Sequence, residues 1–329
     1  MKKLISNLII PRINLNSPQS INEAVRLVQE HSFDTFILFA SDEVVFGQNI
    51  KFKPEDLFEL RDKLDSISKE RILFFLDAEN GLGRRCLVGE EHDFANIEAL
   101  DDRQIKDIFD SINSELYIHK ISFNLAPVVD LGQKKSKVLN GRTFSESAQV
   151  VSKIGKIFID SCVSNNVISC LKHFPGHGIV HGDTHDKLIK SSTSDSSLIK
   201  EHLQPFIDLV HNVEMIMINH INYSFHDALP IPASMSENIM KKLLLEELDF
   251  KGLIISDSIR MGAITENFSE SKISQEFILK GGDLILDPIN PIQLIDVIEQ
   301  IYPKASEDID RKIKKIIKIK NKARSLMLT

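Results

Sequence analysis

Residues 167–186 read VISCLKHFPGHGIVHGDTHD, a stretch that joins an apolar run to a polar loop. The run VISCLK (167–172) is apolar and β-branched, which is typical of a buried strand. Pro175 and the glycines after it disfavour a helix, because proline removes a backbone donor and each glycine costs about 1 kcal/mol relative to alanine. The sequence therefore predicts a strand that ends near Lys172 and opens into an extended loop.

Four histidines in this stretch, at positions 173, 177, 181 and 185, are spaced by four residues. On a helix, that spacing would place their rings on one face, like a row of metal ligands. In an extended loop the spacing loses this meaning, and zinc needs ligands that converge on one point. We therefore predict no metal site and no cofactor. A strand end that opens into a loop rich in Lys, His and Asp is instead interpreted as an active site.

Strand-like and helix-like segments alternate along the chain in eight pairs. The strand-like segments are continuous apolar runs, as expected for a parallel sheet with both faces covered. They span residues 8–15, 35–40, 72–79, 123–131, 167–172, 213–221, 252–258 and 283–287, and the helix-like segments span residues 21–30, 53–70, 101–118, 145–164, 197–211, 236–248, 273–282 and 291–302. Eight units predict a single α/β domain over residues 1–329, a (β/α)8 TIM barrel, with a doubly wound open sheet as the alternative. No GxGxxG or P-loop motif follows a strand, which weakens a nucleotide-binding version of that alternative.

Composition and charge are those of an ordinary globular protein. Of the 329 residues, 42% are hydrophobic and 26% are charged, and the net charge of −7 disfavours nucleic-acid binding. The three cysteines fit no disulfide framework and no CxxC pattern, which indicates a reducing compartment. No apolar stretch reaches the ~20 residues of a membrane span, and no signal-peptide cleavage site follows the N-terminus. We expect a cytoplasmic monomer or weak dimer, with an amphipathic C-terminal helix at about residues 307–326 packed on the body.

Polar side chains stand at the ends of the predicted strands. In a barrel, the chemistry lies at the carboxyl ends of the strands, so these side chains should face one mouth. For Asp130 and Asp287, helix capping or loop solvation is the favoured interpretation. The complete set is Arg12, Asp77, Glu79, Asp130, Lys172, His173, Asn219, His220, Asp257 and Asp287.

Several motifs resemble those of the glycoside hydrolase family 3 β-N-acetylglucosaminidases. They are KHFPGHG (172–178) followed by Asp183-Thr184-His185, FNLAPVVDL (123–131), NGRTF (140–144), PASMS (232–236) and GLIISDSIRMGAI (252–264). The resemblance runs from about residue 8 to residue 290, with the motifs in the family's order. It implies a TIM barrel and a retaining hydrolase that removes β-linked N-acetylglucosamine.

The resemblance also implies roles for individual residues. Asp257 matches the catalytic nucleophile, His185 the general acid/base, and Asp183 the carboxylate paired with that histidine. The residues that match sugar-binding positions are Asp77, Arg85, Arg142, Lys172 and His173. The chain departs from the family where many members read DQEGGRVQR and this sequence reads DAENGLGRR (77–85), so Leu82 stands in place of an arginine.

The chemistry of these residue types agrees with those roles. A retaining glycosidase needs a nucleophile on one face of the anomeric carbon and a proton donor beside the leaving oxygen. Asp257 at a strand end can be an ionised nucleophile. A free imidazole titrates near ~6.5, and a neighbouring carboxylate raises that pKa, so His185 beside Asp183 can arrive protonated near neutral pH.

Other functions stay open at this point. A β-glucosidase of the same superfamily is one rival, although those enzymes usually draw their acid/base from a second domain. A phosphorylase, in which phosphate replaces water at the covalent intermediate, is another. A catalytically inactive sugar-binding module is a third, disfavoured by intact Asp257, Asp183 and His185. The expected substrate is a β-GlcNAc saccharide or a muropeptide, with a role in peptidoglycan recycling implied by the resemblance.

Overall fold

The computed structural model describes residues 1–41, 50–132, 139, 141–179, 189–191, 195–227 and 229–328. The strands of this part of the chain are β1 (Ile9–Ile10), β2 (Arg12–Asn14), β3 (Thr35–Phe39), β4 (Leu73–Leu76), β5 (Phe123–Asn124), β6 (Ile168–Phe174), β7 (Lys190–Ser191), β8 (Met215–Ile218), β9 (Asn222–Tyr223), β10 (Leu253–Ser256) and β11 (Ile285–Leu286).

The helices flank these strands. They are α1 (Lys2–Ile5), α2 (Pro18–His31), α3 (Pro54–Asp65), α4 (Asp102–Ile118), α5 (Ala148–Ser164), α6 (Ser196–Leu209), α7 (Gly262–Thr265), α8 (Glu270–Leu279) and α9 (Pro291–Leu326). A π-helix, Asn238–Glu247, follows β9. Short 3-10 turns lie at Ser6–Leu8, Leu82–Arg84, Ile97–Ala99, His177–Ile179, Val210–Asn212 and Ala233–Met235. No helix within the described ranges is both long enough and apolar enough to cross a membrane.

The sheet is parallel and curled. Seven strands pair in the order β10-β8-β6-β5-β4-β3-β2, and β1 pairs with β11. A parallel bridge between Ile255 and Leu284 places β11 beside β10 as well. Almost every strand residue is buried, because helices cover the outer face and side chains fill the inner one. The result is an α/β fold built on a curled parallel sheet.

The observed strands are mostly shorter than the predicted ones, and two of the differences bear on the site. The segment 123–131 is a strand only at β5, since Pro127 has no N–H to offer a neighbouring strand. Its continuation still contacts β6, where Val129 N donates to Lys172 O at 2.8 Å. The strand predicted to end near Lys172 extends to Phe174, which pairs with Ile218 of β8. Strand β6 therefore carries both Lys172 and His173 within its ordered backbone.

The two ends of the strands form two polar regions. We call the carboxyl ends, with Arg12, Asp77, Glu79, Asp130, Lys172, His173, Asp257 and Asp287, the mouth. We call the amino ends, with Asp34 and Asp283 and the α9 side chains that meet them, the floor.

Helix α9 covers the floor. It includes residues 307–326 and is continuous with the segment 291–302, apart from a non-helical residue at Ala305. Arg324 Nη2 lies 2.6 Å from Asp34 Oδ2, and Lys315 Nζ lies 2.9 Å from Asp283 Oδ2. These ion pairs fix the last helix across the amino ends of the strands.

Candidate active site

A cluster of five charged side chains lies at the ends of β4 and β6. Lys172 Nζ is 2.5 Å from Asp77 Oδ1 and 2.7 Å from Glu79 Oε1. Arg85 Nη2 donates to Asp77 Oδ2 at 2.8 Å. Arg142 binds Glu79 through two nitrogens, at 2.6 and 2.8 Å. Four of the five predicted sugar-binding residues therefore meet here, and Glu79 joins Lys172 to Arg142.

Electrostatics keep this cluster ionised. Burial opposes ionisation of both carboxyls, but Lys172 holds the pKa of Asp77 below its usual value, and Arg142 with Lys172 does the same for Glu79. Burial likewise works against the Lys172 ammonium, yet the two carboxylates raise its pKa above the ordinary value. Lys172 and Glu79 are almost fully enclosed, whereas the side chains of Asp77 and Arg85 are 25% and 28% exposed. The exposed pair can reach a ligand in the mouth.

The loop after Glu79 folds tightly because of its glycines. Gly81 has φ +128°, and a Cβ there would lie 2.1 Å from the carbonyl oxygen of Glu90. Gly83 N donates to that same oxygen at 3.0 Å. Leu82, between the two glycines, is fully buried in the core. The position where the family resemblance expects an arginine therefore contributes packing here and presents no charge to the mouth.

Asp130 is the anchor of His173. The carboxylate is fully buried, and its Oδ2 lies 2.6 Å from His173 Nδ1 while its Oδ1 accepts from His177 N at 2.6 Å. Burial opposes its ionisation, but His173 and His177 lower the pKa of Asp130 overall. An ionised carboxylate only accepts, so Nδ1 of His173 is the donor and Nε2 points toward Arg142 Nη2 at 3.5 Å. The interpretation of Asp130 as a helix cap or solvated loop residue is wrong.

Asp287 is also buried rather than solvated. It follows β11, and its carboxylate forms an ion pair with Arg12, whose Nε donates to Oδ1 at 2.9 Å. The guanidinium of Arg12 lies over the ring of Phe39, 3.8 Å from its centre. The expectation of a solvated or capping role fails at this position as well, because the partner of Asp287 comes from the opposite end of the sequence.

Asp257 directly follows β10 and is only partly buried. Its backbone N donates to Ile218 O, and its Oδ1 accepts from Ser258 N at 2.7 Å. Among the described residues, no hydrogen-bond donor reaches its Oδ2. Burial opposes ionisation, but His173, His220 and the Ser258 N–H lower the pKa of Asp257 below its usual value. The geometry presents an ionised carboxylate at a strand end, with one oxygen that no donor of the described residues reaches.

Asn219 and His220, at the end of β8, form hydrogen bonds that hold the neighbouring strand ends. Asn219 Nδ2 donates to His173 O at 3.1 Å and to Tyr223 Oη at 2.7 Å. His220 Nε2 lies 3.2 Å from Ser258 O, and its Nδ1 lies 2.8 Å from Ser234 Oγ. Burial lowers the pKa of His220 despite the nearby Asp257 carboxylate, so the ring is neutral near pH 7.

The row of histidines does not lie on a helix where the structure describes it. His173 belongs to β6 and His177 to a 3-10 turn. Burial lowers the pKa of His177 to about 4, which makes it a poor proton donor at neutral pH. His181, Asp183 and His185 lie outside the described residues. Among the residues described, no group of three or more His, Cys, Asp or Glu side chains could hold a metal ion.

The sequence of this chain matches a known family over almost its whole length. Residues 3–319 match the family model described as the glycosyl hydrolase family 3 N terminal domain. The chain belongs to this family. The mouth described above is therefore the mouth of a family 3 domain, at the end of the sheet where barrel folds carry their chemistry.

Curated relatives of this family 3 chain are called beta-hexosaminidase. One from Hydrogenovibrio crunogenus is 33% identical over 190 residues, 57% of this chain and 52% of that protein. One from Idiomarina loihiensis is 28% identical over 268 residues, 78% of this chain and 80% of that protein. A third relative, from Pseudoalteromonas piscicida, is matched over 45% of its length. The chain therefore spans about half the length of this protein and of the Hydrogenovibrio crunogenus protein.

A solved structure shares the fold. The family 3 β-N-acetylglucosaminidase from Paenibacillus sp. str. FPU-7 superposes with a TM-score of 0.85 at 23% identity, over 99% of this chain and 63% of that one. At this level of identity the similarity concerns the fold alone.

Glu79, Asp130 and Asp287 take part in the site, although no catalytic or sugar-binding role was predicted for them from the sequence. Each stands at or near the end of a predicted strand, which was the available signal. What the sequence did not reveal was the partner that each carboxylate meets.

Proposed function

We propose that the chain is a retaining β-N-acetylhexosaminidase that removes terminal β-linked N-acetylglucosamine. One observation carries the proposal: Asp257 is ionised, partly exposed and keeps one oxygen free of hydrogen bonds from the described residues. The curated names of the relatives support the class of substrate. We further propose a single domain whose curled sheet closes as a (β/α)8 barrel, for which the pairing of β1 with β11 is the support.

The reaction would proceed in two steps. The free oxygen of Asp257 attacks the anomeric carbon, and the bond to the leaving oxygen breaks as that oxygen takes a proton from His185. Water then attacks the same carbon, gives a proton back to His185 and releases Asp257. Asp183 would stabilise the imidazolium that donates the proton in the first step and is formed again in the second. The assignments of His185 and Asp183 rest on the sequence resemblance.

The charged cluster suits the binding of sugar hydroxyls, which both donate and accept hydrogen bonds. Arg85, Arg142 and Lys172 supply donors, Asp77 supplies acceptors, and Asp130 fixes the ring of His173. The cluster is preorganised by its own ion pairs, so little side-chain entropy remains to be lost on binding. We propose a cell-wall saccharide or muropeptide as the natural substrate, on the support of the family resemblance.

A comparison of substrates tests this function. We expect the chain to hydrolyse nitrophenyl β-N-acetylglucosaminide much faster than nitrophenyl β-glucoside, with a metal chelator present and with free sugar as the product in phosphate buffer. A preference for the glucoside would indicate a β-glucosidase. A sugar 1-phosphate would indicate a phosphorylase, and binding without turnover would indicate a sugar-binding module.

A further inference from the structure

The carboxylate of Asp287 collects several donors at the mouth. Its Oδ1 accepts from Arg12 Nε at 2.9 Å, and its Oδ2 lies 2.5 Å from Arg12 Nη2. Ser258 Oγ donates to Oδ2 at 2.7 Å, and Arg260 Nε lies 2.9 Å from Oδ1 as an ion-pair contact without hydrogen-bond geometry. The backbone is held too: Asp287 N donates to Ile10 O, and its φ of 58° is one that aspartate adopts more readily than most residues. Asp287 thus has one fixed position.

Ser258 connects this carboxylate to Asp257. Its backbone N–H donates to Asp257 Oδ1 at 2.7 Å, while its hydroxyl is held by Asp287. Its carbonyl oxygen is held by His220 Nε2 at 3.2 Å. The hydroxyl bond is charge-assisted, and such bonds are roughly twice as strong as neutral ones. Ser258, whose N–H orients the Asp257 carboxylate, is therefore held through both its hydroxyl and its carbonyl oxygen.

We propose that Asp287 is a positioning residue for the nucleophile: it holds Ser258, and through the Ser258 N–H it fixes the direction in which Asp257 presents its free oxygen. The inference rests on the proposed function of Asp257. It adds that attack depends on a buried ion pair between Arg12 of β2 and Asp287 after β11, and neither of these strands carries the nucleophile. Asp287 itself makes no contact with the reacting atoms.

The chain offers a matched control on the same strand. Asp283 precedes β11, as Asp287 follows it, and is also buried. It too meets two cations, Lys315 at 2.9 Å and Lys312 at 3.9 Å, and it accepts from Ile254 N at 2.8 Å. These partners lie at the floor. Asp283→Asn therefore disturbs an equivalent buried ion pair without touching the residues around Asp257.

The test measures kcat and KM for nitrophenyl β-N-acetylglucosaminide well below the unfolding temperature of each variant. Ser258→Ala removes the hydroxyl and should lower kcat about 10-fold, and Asp287→Asn should lower it about 100-fold, since small misplacements of reacting groups have effects of that size. KM should change less than about 2-fold in both, because neither side chain binds the sugar. Ser258→Thr keeps the hydroxyl and should recover most of the loss.

The outcomes separate the inference from the proposed function. Full kcat in Ser258→Ala, or an equal loss of kcat in Asp283→Asn, would overturn the positioning role while the wild-type chain remains an active hydrolase. If the wild-type chain hydrolyses no β-N-acetylglucosaminide, the proposed function fails, and the inference fails with it. The kcat of Asp287→Asn is interpreted only if the unfolding temperature of this variant exceeds the assay temperature. The kcat of Ser258→Ala tests the positioning role in any case.

Discussion

The mouth and the floor of the sheet both bury lysines beside carboxylates, but the pKa values of these lysines are shifted in opposite directions. At the mouth, burial lowers and two carboxylates raise the pKa of Lys172, and the net shift is upward. At the floor, burial dominates, and the pKa values of Lys312 and Lys320 are lowered. The three ammonium groups are all at least nine-tenths buried, so burial alone does not explain the difference.

The number and closeness of the carboxylates explain why the lysine pKa is raised at the mouth and lowered at the floor. Lys172 has two carboxylates within 2.7 Å. Lys320 has Asp34, which it shares with Arg324, and Lys312 has carboxylates no nearer than 3.4 Å. The ion pairs of the floor hold helix α9 against the sheet, and shared or more distant pairs are sufficient for that role. The mouth instead holds charge in fixed positions beside partly exposed groups, which is what a site for a polar substrate requires.

The largest expected effect separates Asp257 at the mouth from Asp34 at the floor. Asp257→Ala should lower kcat about 10⁴-fold or more, because no other described carboxylate presents a free oxygen at this strand end. Asp34→Asn should leave kcat unchanged and lower the unfolding temperature. Steady-state kinetics and thermal unfolding of both variants check this. Comparable activity loss in the two would remove the distinction between the regions.

The next effect concerns His185, the proposed general acid/base. His185→Ala should slow hydrolysis of a natural disaccharide about 10²- to 10⁴-fold, the usual range for general acid–base help. The first step on a nitrophenyl substrate should suffer far less, because nitrophenolate needs little protonation. Azide, which needs no base, should restore part of the lost turnover on that substrate. Near-wild-type disaccharide hydrolysis would place the acid/base elsewhere.

A smaller effect compares one lysine from each region. Lys172→Met removes the cation between Asp77 and Glu79 and leaves each carboxylate with one arginine, which should lower the free energy of unfolding by about 1–3 kcal/mol and kcat/KM about 100-fold. Lys320→Met leaves Asp34 paired with Arg324, so its effect on stability should be smaller and kcat/KM should not change. Denaturant unfolding and kinetics on both variants provide the measurement. A greater loss of stability in Lys320→Met would contradict the account of the two regions.

The smallest effect is on pH dependence. The pKa of Asp257 is lowered in the folded chain, so Asp257 stays ionised until the pH falls below the ordinary aspartate value of 3.8, and activity that depends on it is lost only below that value. After burial, His173 makes the largest contribution to the pKa of Asp257. His173→Gln should therefore move the acid limb of kcat/KM to higher pH. An unmoved limb would show that another group sets it.

The sequence predicted which polar residues stand at the strand ends, but it did not predict which residues they contact. Apolar runs followed by Asp, Lys or His located Asp77, Lys172 and Asp257, since a buried strand and a polar end are both local features. The partner of Asp287 is Arg12, 275 residues away along the chain, and the partner of Asp130 is His173, 43 residues away. Solvation was the natural expectation for each carboxylate viewed alone. Folding brings the partner to each carboxylate and buries the pair.

The most direct test of the account is to trap the covalent intermediate. A 2-fluoro glycosyl donor with a good leaving group should inactivate the chain and leave one sugar per molecule, and peptide mapping by mass spectrometry should locate it on Asp257. Asp257→Ala, as the control, should take up no label. A sugar on Asp77 or Asp287, or turnover with no adduct and inverted product, would contradict the claim that Asp257 is the nucleophile at this mouth.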